Sequence, residues 1–174
     1  MLQKTTTWKG LMLLLFFSVS TLMLSAQEWK VKVGDSAPAF TVTNKAGKNI
    51  NSKDLKGRVV LLNFFATWCP PCRQELPRVQ KEIWDRWGDR KDFEVMVLAR
   101  EEGWDKLDPF IKNNNYTFPF YPDLKRGVFA LFADSSITRN VLIDKEGKIS
   151  YLSIGYSEKE FTEFVTLIEK ALAK

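Results

Sequence analysis

The residues best suited to chemistry are Cys69 and Cys72, the chain's two cysteines, separated by Pro70 and Pro71. Two intervening residues can hold both sulfurs on one helical turn. The first sulfur then lies near the unpaired N–H groups and the positive dipole end of the helix, which stabilise a thiolate. This pattern predicts Cys69 as the attacking thiol at an exposed helix entrance and Cys72, one turn inside, as the thiol that resolves a mixed disulfide. Pro70 and Pro71 remove two amide donors that could otherwise support the thiolate.

Other chemistries for the pair differ in kind. A purely structural bridge is open to any close pair in an oxidising compartment, but so short a loop removes little unfolded-chain entropy. The sulfurs could also be soft metal ligands in a non-enzymatic module, or mark a redox-inactive partner-binding domain. The chain has no histidine and no second cysteine pair, so a four-ligand zinc site would need a second copy. A serine–histidine triad is excluded, and no nucleophile elbow, dinucleotide glycine fingerprint, haem-attachment motif or phosphate loop is present. No cofactor is expected.

The elements that must position the pair are legible on either side of it. Val59–Phe65 is an apolar run suited to a strand covered on both faces, with Asn63 as its polar exception. Asn63 is expected to satisfy neighbouring backbone groups. After the cysteines, Leu76, Val79, Ile83 and Trp87 recur at helical spacing and Gly88-Asp89 closes the helix. Pro70 fits its start, whereas Pro77 should bend it. Glu75 is the nearest acid, and as a solvated first-turn carboxylate it would be stabilised by the helix dipole. Trp68 is placed either to shape a docking edge or to pack in the core, and Arg73 is expected at the surface.

Further on, Phe93–Leu98 reads as a parallel strand and 104–113 as a helix. The aromatic passage 116–123 reads as extended and core-packed, and 124–132 as a short helix. Segments 138–144 and 149–152 form a hairpin around Glu146-Gly147-Lys148. The terminal helix carries Phe161, Phe164, Val165, Ile168 and Leu172 on one face. Residues 36–43 mix a turn with a short strand, 44–48 make its turn, and 51–57 form a connector with one helical turn. These precede the main pattern as a short N-terminal extension, and the strand–helix–strand–helix–hairpin–helix order predicts an α/β domain.

The 174 residues carry 26 basic and 21 acidic side chains. Lys4 and Lys9 precede the apolar stretch from Leu11 to Leu24, and Ser25-Ala26 follow it. This predicts a secretory signal peptide over 1–26, cut after Ala26, and one domain over 27–174. An uncleaved anchor is the competing reading, disfavoured because the strongly apolar part is shorter than the roughly 20 residues that span a bilayer. Cleavage removes two bases and no acid, so the mature balance is 24 against 21, or +3. With no basic arm or zinc-finger spacing, nucleic-acid binding is not expected.

Trp68-Cys69-Pro70-Pro71-Cys72 resembles the active-site motif of the thioredoxin superfamily. With Phe64-Phe65-Ala66 before it and Arg73-Gln74-Glu75-Leu76-Pro77 after it, the string resembles the extracytoplasmic thiol–disulfide oxidoreductases of the TlpA/ResA type. The similarity extends from Val33 to Lys174 and includes Val141 to Ile149. It implies a thioredoxin-like central mixed sheet flanked by helices, with an N-terminal extension packed on it. It implies a periplasmic or other extracytoplasmic location and a reductant of disulfides in envelope proteins, recharged by a separate thiol electron donor that could be membrane-bound. It also implies an acid–base role for Glu75 beside the cysteines. Asn63 matches the place of thioredoxin's buried aspartate, whose proton exchange an amide cannot perform. The place of the family's cis-proline is occupied by Thr138. A non-proline cis bond costs about 2.5 to 4 kcal/mol, so a trans or locally strained peptide is expected, with the Thr138 hydroxyl near a bound peptide. Trp68, Pro70 and Pro71 are the other expected substrate contacts. The missing proline keeps a peroxiredoxin-like thiol peroxidase as an alternative, although Thr67-Trp68-Cys69 is too short for the usual Thr-x-x-Cys frame.

Overall fold

The computed structural model describes residues 29–174; the predicted signal peptide lies outside the described residues. Thr41–Thr43 (β1) and Asn49–Asn51 (β2) form an antiparallel hairpin, followed by a 3-10 turn over Ser52–Leu55. The main domain then runs Val59–Phe65 (β3), Pro70–Arg78 (α1), Asp85–Trp87 (α2), Phe93–Arg100 (β4) and Trp104–Asn114 (α3). It continues with Phe120–Asp123 (β5), Phe129–Phe132 (α4), Arg139–Ile143 (β6), Ile149–Ile154 (β7) and Glu158–Leu172 (α5).

Five strands form one mixed sheet in the order β5-β4-β3-β6-β7. β3 lies at its centre, parallel to β4 and antiparallel to β6, and all seven of its residues are buried. Its unbroken apolar character follows from cover on both faces. Val59, Leu61 and Phe65 face one way, into a core shared with α1, α3 and α5. Val60, Leu62 and Phe64 face the other, against α4 and the N-terminal extension. The expected thioredoxin-like sheet and packed extension are both present. The aromatic passage is core: Tyr116, Phe118 and Phe120 are buried and pack at tilted angles against one another, and Phe120 meets Phe110 edge-on.

Two helices differ from expectation. The helix expected over 124–132 is confined to Phe129–Phe132, because Arg126 takes a left-handed φ of 56° that interrupts helical winding. The buried Asp123 carboxylate instead accepts the N–H groups of Val128 and Phe129 and fixes where α4 starts. Pro77 is accommodated inside α1, but the winding widens to a π-helix over Val79–Trp84, one residue beyond the end of α1.

One contact ties the start of the extension to the loop before β6. Arg139 is fully buried, and its guanidinium donates to the carbonyls of Ser135 and Ser136 at 2.7 to 3.0 Å. The ring of Trp29 lies 4.3 Å from that guanidinium, and Lys30 N–H bonds the Phe132 carbonyl at 2.8 Å. A desolvated cation–aromatic contact of this kind contributes up to about 2 kcal/mol. Trp29→Ala should therefore lower stability by about 1 to 3 kcal/mol, once lost apolar burial is included. Urea denaturation should show a lower midpoint at unchanged slope.

Candidate active site

The C-terminal end of β3 delivers the chain directly to the cysteines. The turn between them is held by Glu102, which follows β4. Its carboxylate accepts Thr67 N–H and Thr67 Oγ1, both at 2.7 Å, and is itself buried. Cys69 is the N-cap of α1 in extended conformation, and Pro70 and Pro71 occupy the first two helical positions. The first free helical N–H is therefore that of Cys72, and it reaches Cys69 Sγ at 3.3 Å. The two sulfurs are joined as a disulfide across a Cα–Cα distance of 5.3 Å.

Cys69 is not the exposed residue the sequence suggested. It is 2% exposed, because its neighbours and the loop before β6 close around it. It does, however, line an open groove of about 480 Å³ together with Trp68, Pro70, Pro71, Arg100 and Ile137. Cys72, fully buried, does not. Trp68 is 61% exposed, which removes the core-packing reading. Arg73 is at the surface as expected.

Behind the disulfide lies a polar cage. Glu75 stands one turn beyond Cys72 on the same side of α1, and it is 1% exposed, not solvated as a first-turn carboxylate would be. Its Oε2 accepts Asn63 Nδ2 at 3.0 Å and Thr138 Oγ1 at 2.5 Å, and its Oε1 accepts Asn140 Nδ2 at 2.6 Å. Asn63 Nδ2 also donates to Asn140 Oδ1 at 2.8 Å. Asn63 thus serves side chains, not the backbone groups expected of it, while its Oδ1 has no hydrogen-bond partner among the described residues. Burial pushes the Glu75 carboxyl above its ordinary range, outweighing the opposing hydrogen bonds from Thr138, Asn140 and Asn63.

Thr138 departs from expectation in two respects. The Ile137–Thr138 peptide is cis, where a trans or strained bond was anticipated. Its hydroxyl is buried against Glu75 and does not face the groove. Ile137 and Ser136 supply that loop's side of the groove instead. Sequence reasoning missed Asn140, Glu102 and Arg139. A polar residue in an apolar strand was the available signal for Asn140, as it had been for Asn63.

A mixed sheet of this order, with a Cys-x-x-Cys disulfide at the entrance of α1 and a buried acid one turn behind, defines a thioredoxin-fold thiol–disulfide oxidoreductase. A family model described as Redoxin matches residues 32–168, and the chain belongs to that family. It is 35% identical over 138 residues to the thiol-disulfide oxidoreductase ResA of Bacillus cereus, covering 79% of each chain. It is 32% identical over 142 residues to the thioredoxin-like protein YneN of Bacillus subtilis, covering 80% of this chain and 81% of that one. The solution structure of a candidate protein disulfide isomerase from Bacteroides thetaiotaomicron superposes with a TM-score of 0.82 at 40% identity. That match covers 86% of this chain and 95% of the other.

The raised Glu75 pKa has a stability consequence. The folded state holds this proton to higher pH than the unfolded chain, so ionising Glu75 opposes folding. Stability should fall as pH rises above the ordinary value of 4.5, by at most about 1.4 kcal/mol per pH unit for one proton, and level off beyond the folded-state pKa. Glu75→Gln should remove that decline, as measured by denaturant unfolding of the oxidised protein from pH 4 to 8.

Proposed function

We propose that the chain is an extracytoplasmic reductant of disulfides in envelope proteins, with Cys69 as nucleophile, Cys72 as resolving thiol and Glu75 as the base that serves Cys72. The observation that carries this reading is the division of labour at the pair: Cys69 lines an open groove, whereas Cys72 is sealed beside a buried carboxyl. Only the first sulfur is presented to a partner.

In the reduced enzyme, the Cys69 thiolate attacks one sulfur of the partner disulfide, and the other leaves as a thiolate that takes a proton. Cys72 then gives its proton to Glu75 and attacks Cys69 Sγ. The bond to the partner breaks, and the partner's second sulfur leaves with the electron pair and is protonated. The partner gains two electrons and the enzyme ends as the disulfide, so each turnover needs two electrons from a separate thiol donor. Trp68, Pro70 and Pro71 form the contact surface for the partner. The N-cap position and the Cys72 N–H favour the Cys69 thiolate, and the two prolines keep further donors away.

Extracytoplasmic location rests on the signal-peptide pattern over 1–26 and on the likeness to ResA-type relatives. The cage suits a base that alternates between states. Three side-chain donors stabilise the carboxylate, and rotation of the Asn63 amide would offer Oδ1 to the protonated acid.

Trapping tests the assignment of roles. Cys72→Ser should accumulate a mixed disulfide with a disulfide-bonded protein, visible as a shifted band on non-reducing gels, and Cys69→Ser should form none; the reverse pattern overturns the assignment. The equilibrium potential of the pair tests the direction. A value near the thioredoxin range of about -270 mV fits a reductant, and one near about -120 mV would reverse the direction to partner oxidation.

A further inference from the structure

The resolving step leaves a proton on Glu75, inside the protein, at the moment when a partner covers the Trp68 groove. This inference therefore rests on the function proposed above. Glu75 does not line that groove but a small cavity on the opposite side of the cage, between β7 and α5, bordered by Asn140, Tyr151, Ser153 and Glu160. Its volume is about 10 Å³, the space of a single water-sized sphere.

The sheet is built to keep this region polar. Strand register sets Asn63 opposite Asn140 and Asn140 opposite Ser153, so a polar row crosses from the central strand to the edge strand. The row is hydrogen-bonded along its length. Asn63 Nδ2 donates to Asn140 Oδ1 at 2.8 Å, and Asn140 Nδ2 to Ser153 Oγ at 3.3 Å. Tyr151 and Ser153 lie on the same side of β7 and both border the cavity. Around it the same face is apolar, with Leu61, Phe65, Leu142 and Phe164.

The amides fix the geometry but do not exchange protons at ordinary pH, whereas hydroxyls and water do. The titratable groups that line the cavity are Glu75 from α1, Tyr151 from β7, Tyr156 from the following loop and Glu160 from α5, with Glu163 of α5 close enough to act on Tyr151. No cation lines it among the described residues. Glu160 is exposed at the mouth and is held by Ser157 Oγ, which donates to its Oε2 at 3.0 Å.

We propose that this cavity holds one water joining Glu75 to the Ser153 and Tyr151 hydroxyls, and that the proton taken from Cys72 leaves by this route at the β7–α5 edge, away from the docked partner. Protons balance. One leaves through the cavity, and one from solvent at the front completes the released partner thiol. Ser153 and Tyr151 are positioning residues, since neither touches the reacting sulfurs.

The test compares two probes on Ser153→Val, which replaces the hydroxyl with a methyl-bearing side chain. Insulin, a protein-sized disulfide, covers the groove; dithiobis-nitrobenzoate leaves it open. Expected is at least a threefold loss of insulin reduction, with a larger solvent isotope effect. The nitrobenzoate resolution phase should stay within twofold of wild type, and the reduction potential should be unchanged. Equal slowing with both probes, a shifted potential or unchanged insulin reduction overturns the exit. Tyr151→Phe, which keeps the ring, carries the same comparison should the valine variant not fold. Wild type inert toward insulin but reactive with nitrobenzoate would overturn the proposed function itself, whereas an active wild type matched by both variants overturns only the exit.

Discussion

The constraint on which the structure depends is the burial of one carboxyl, Glu75, beside a disulfide. An unpaired carboxylate in a protein interior costs several kcal/mol. Here it is met by three donors drawn from two strands and the loop end that joins one of them: Asn63 on β3, Asn140 on β6 and Thr138 immediately before β6. Those residues are adjacent only because β3 and β6 pair in a register that sets Asn63 opposite Asn140. The acid, the strand register and the position of α1 therefore specify one another.

Strand alternation then divides the labour between the two faces of the sheet. Thr138 and Asn140 point toward α1 and close the cage. Arg139, between them, points to the opposite face, where it holds the Ser135 and Ser136 carbonyls and lies under the Trp29 ring. The loop that borders the groove is thus gripped from both sides, by the acid on one and by the N-terminal extension on the other. The extension supports the active-site loop from a distance, without touching the cysteines.

The same alternation explains how a reactive centre coexists with a well-packed core. Only Trp68, the two prolines, Cys69 and a few facing residues meet the groove. Cys72 and Glu75 stay buried behind it, and a low dielectric there sharpens each proton's preference. Family membership, the likeness to proteins described as thiol-disulfide oxidoreductases and the geometry all describe one kind of chemistry.

Much of this was legible in the chain itself. The apolar run of β3, the helical spacing after Cys72, the Glu146-Gly147-Lys148 hairpin and the amphipathic α5 are local patterns, and local patterns declare themselves in one dimension. The two cysteines pointed to the chemistry for the same reason: their spacing, framed by Trp68 before it and Arg73 to Pro77 after it, makes a local motif. What only the tertiary structure decided was the environment of each group. Glu75 is buried, Cys69 is shielded, and Asn63 serves a carboxylate, because residues 12 to 77 positions apart converge on one point. The short range of α4 and the cis bond before Thr138 were likewise settled in three dimensions. A carboxyl's pKa and a thiol's access depend on what stands within a few ångströms, and that is a property of packing, which no single stretch of sequence contains.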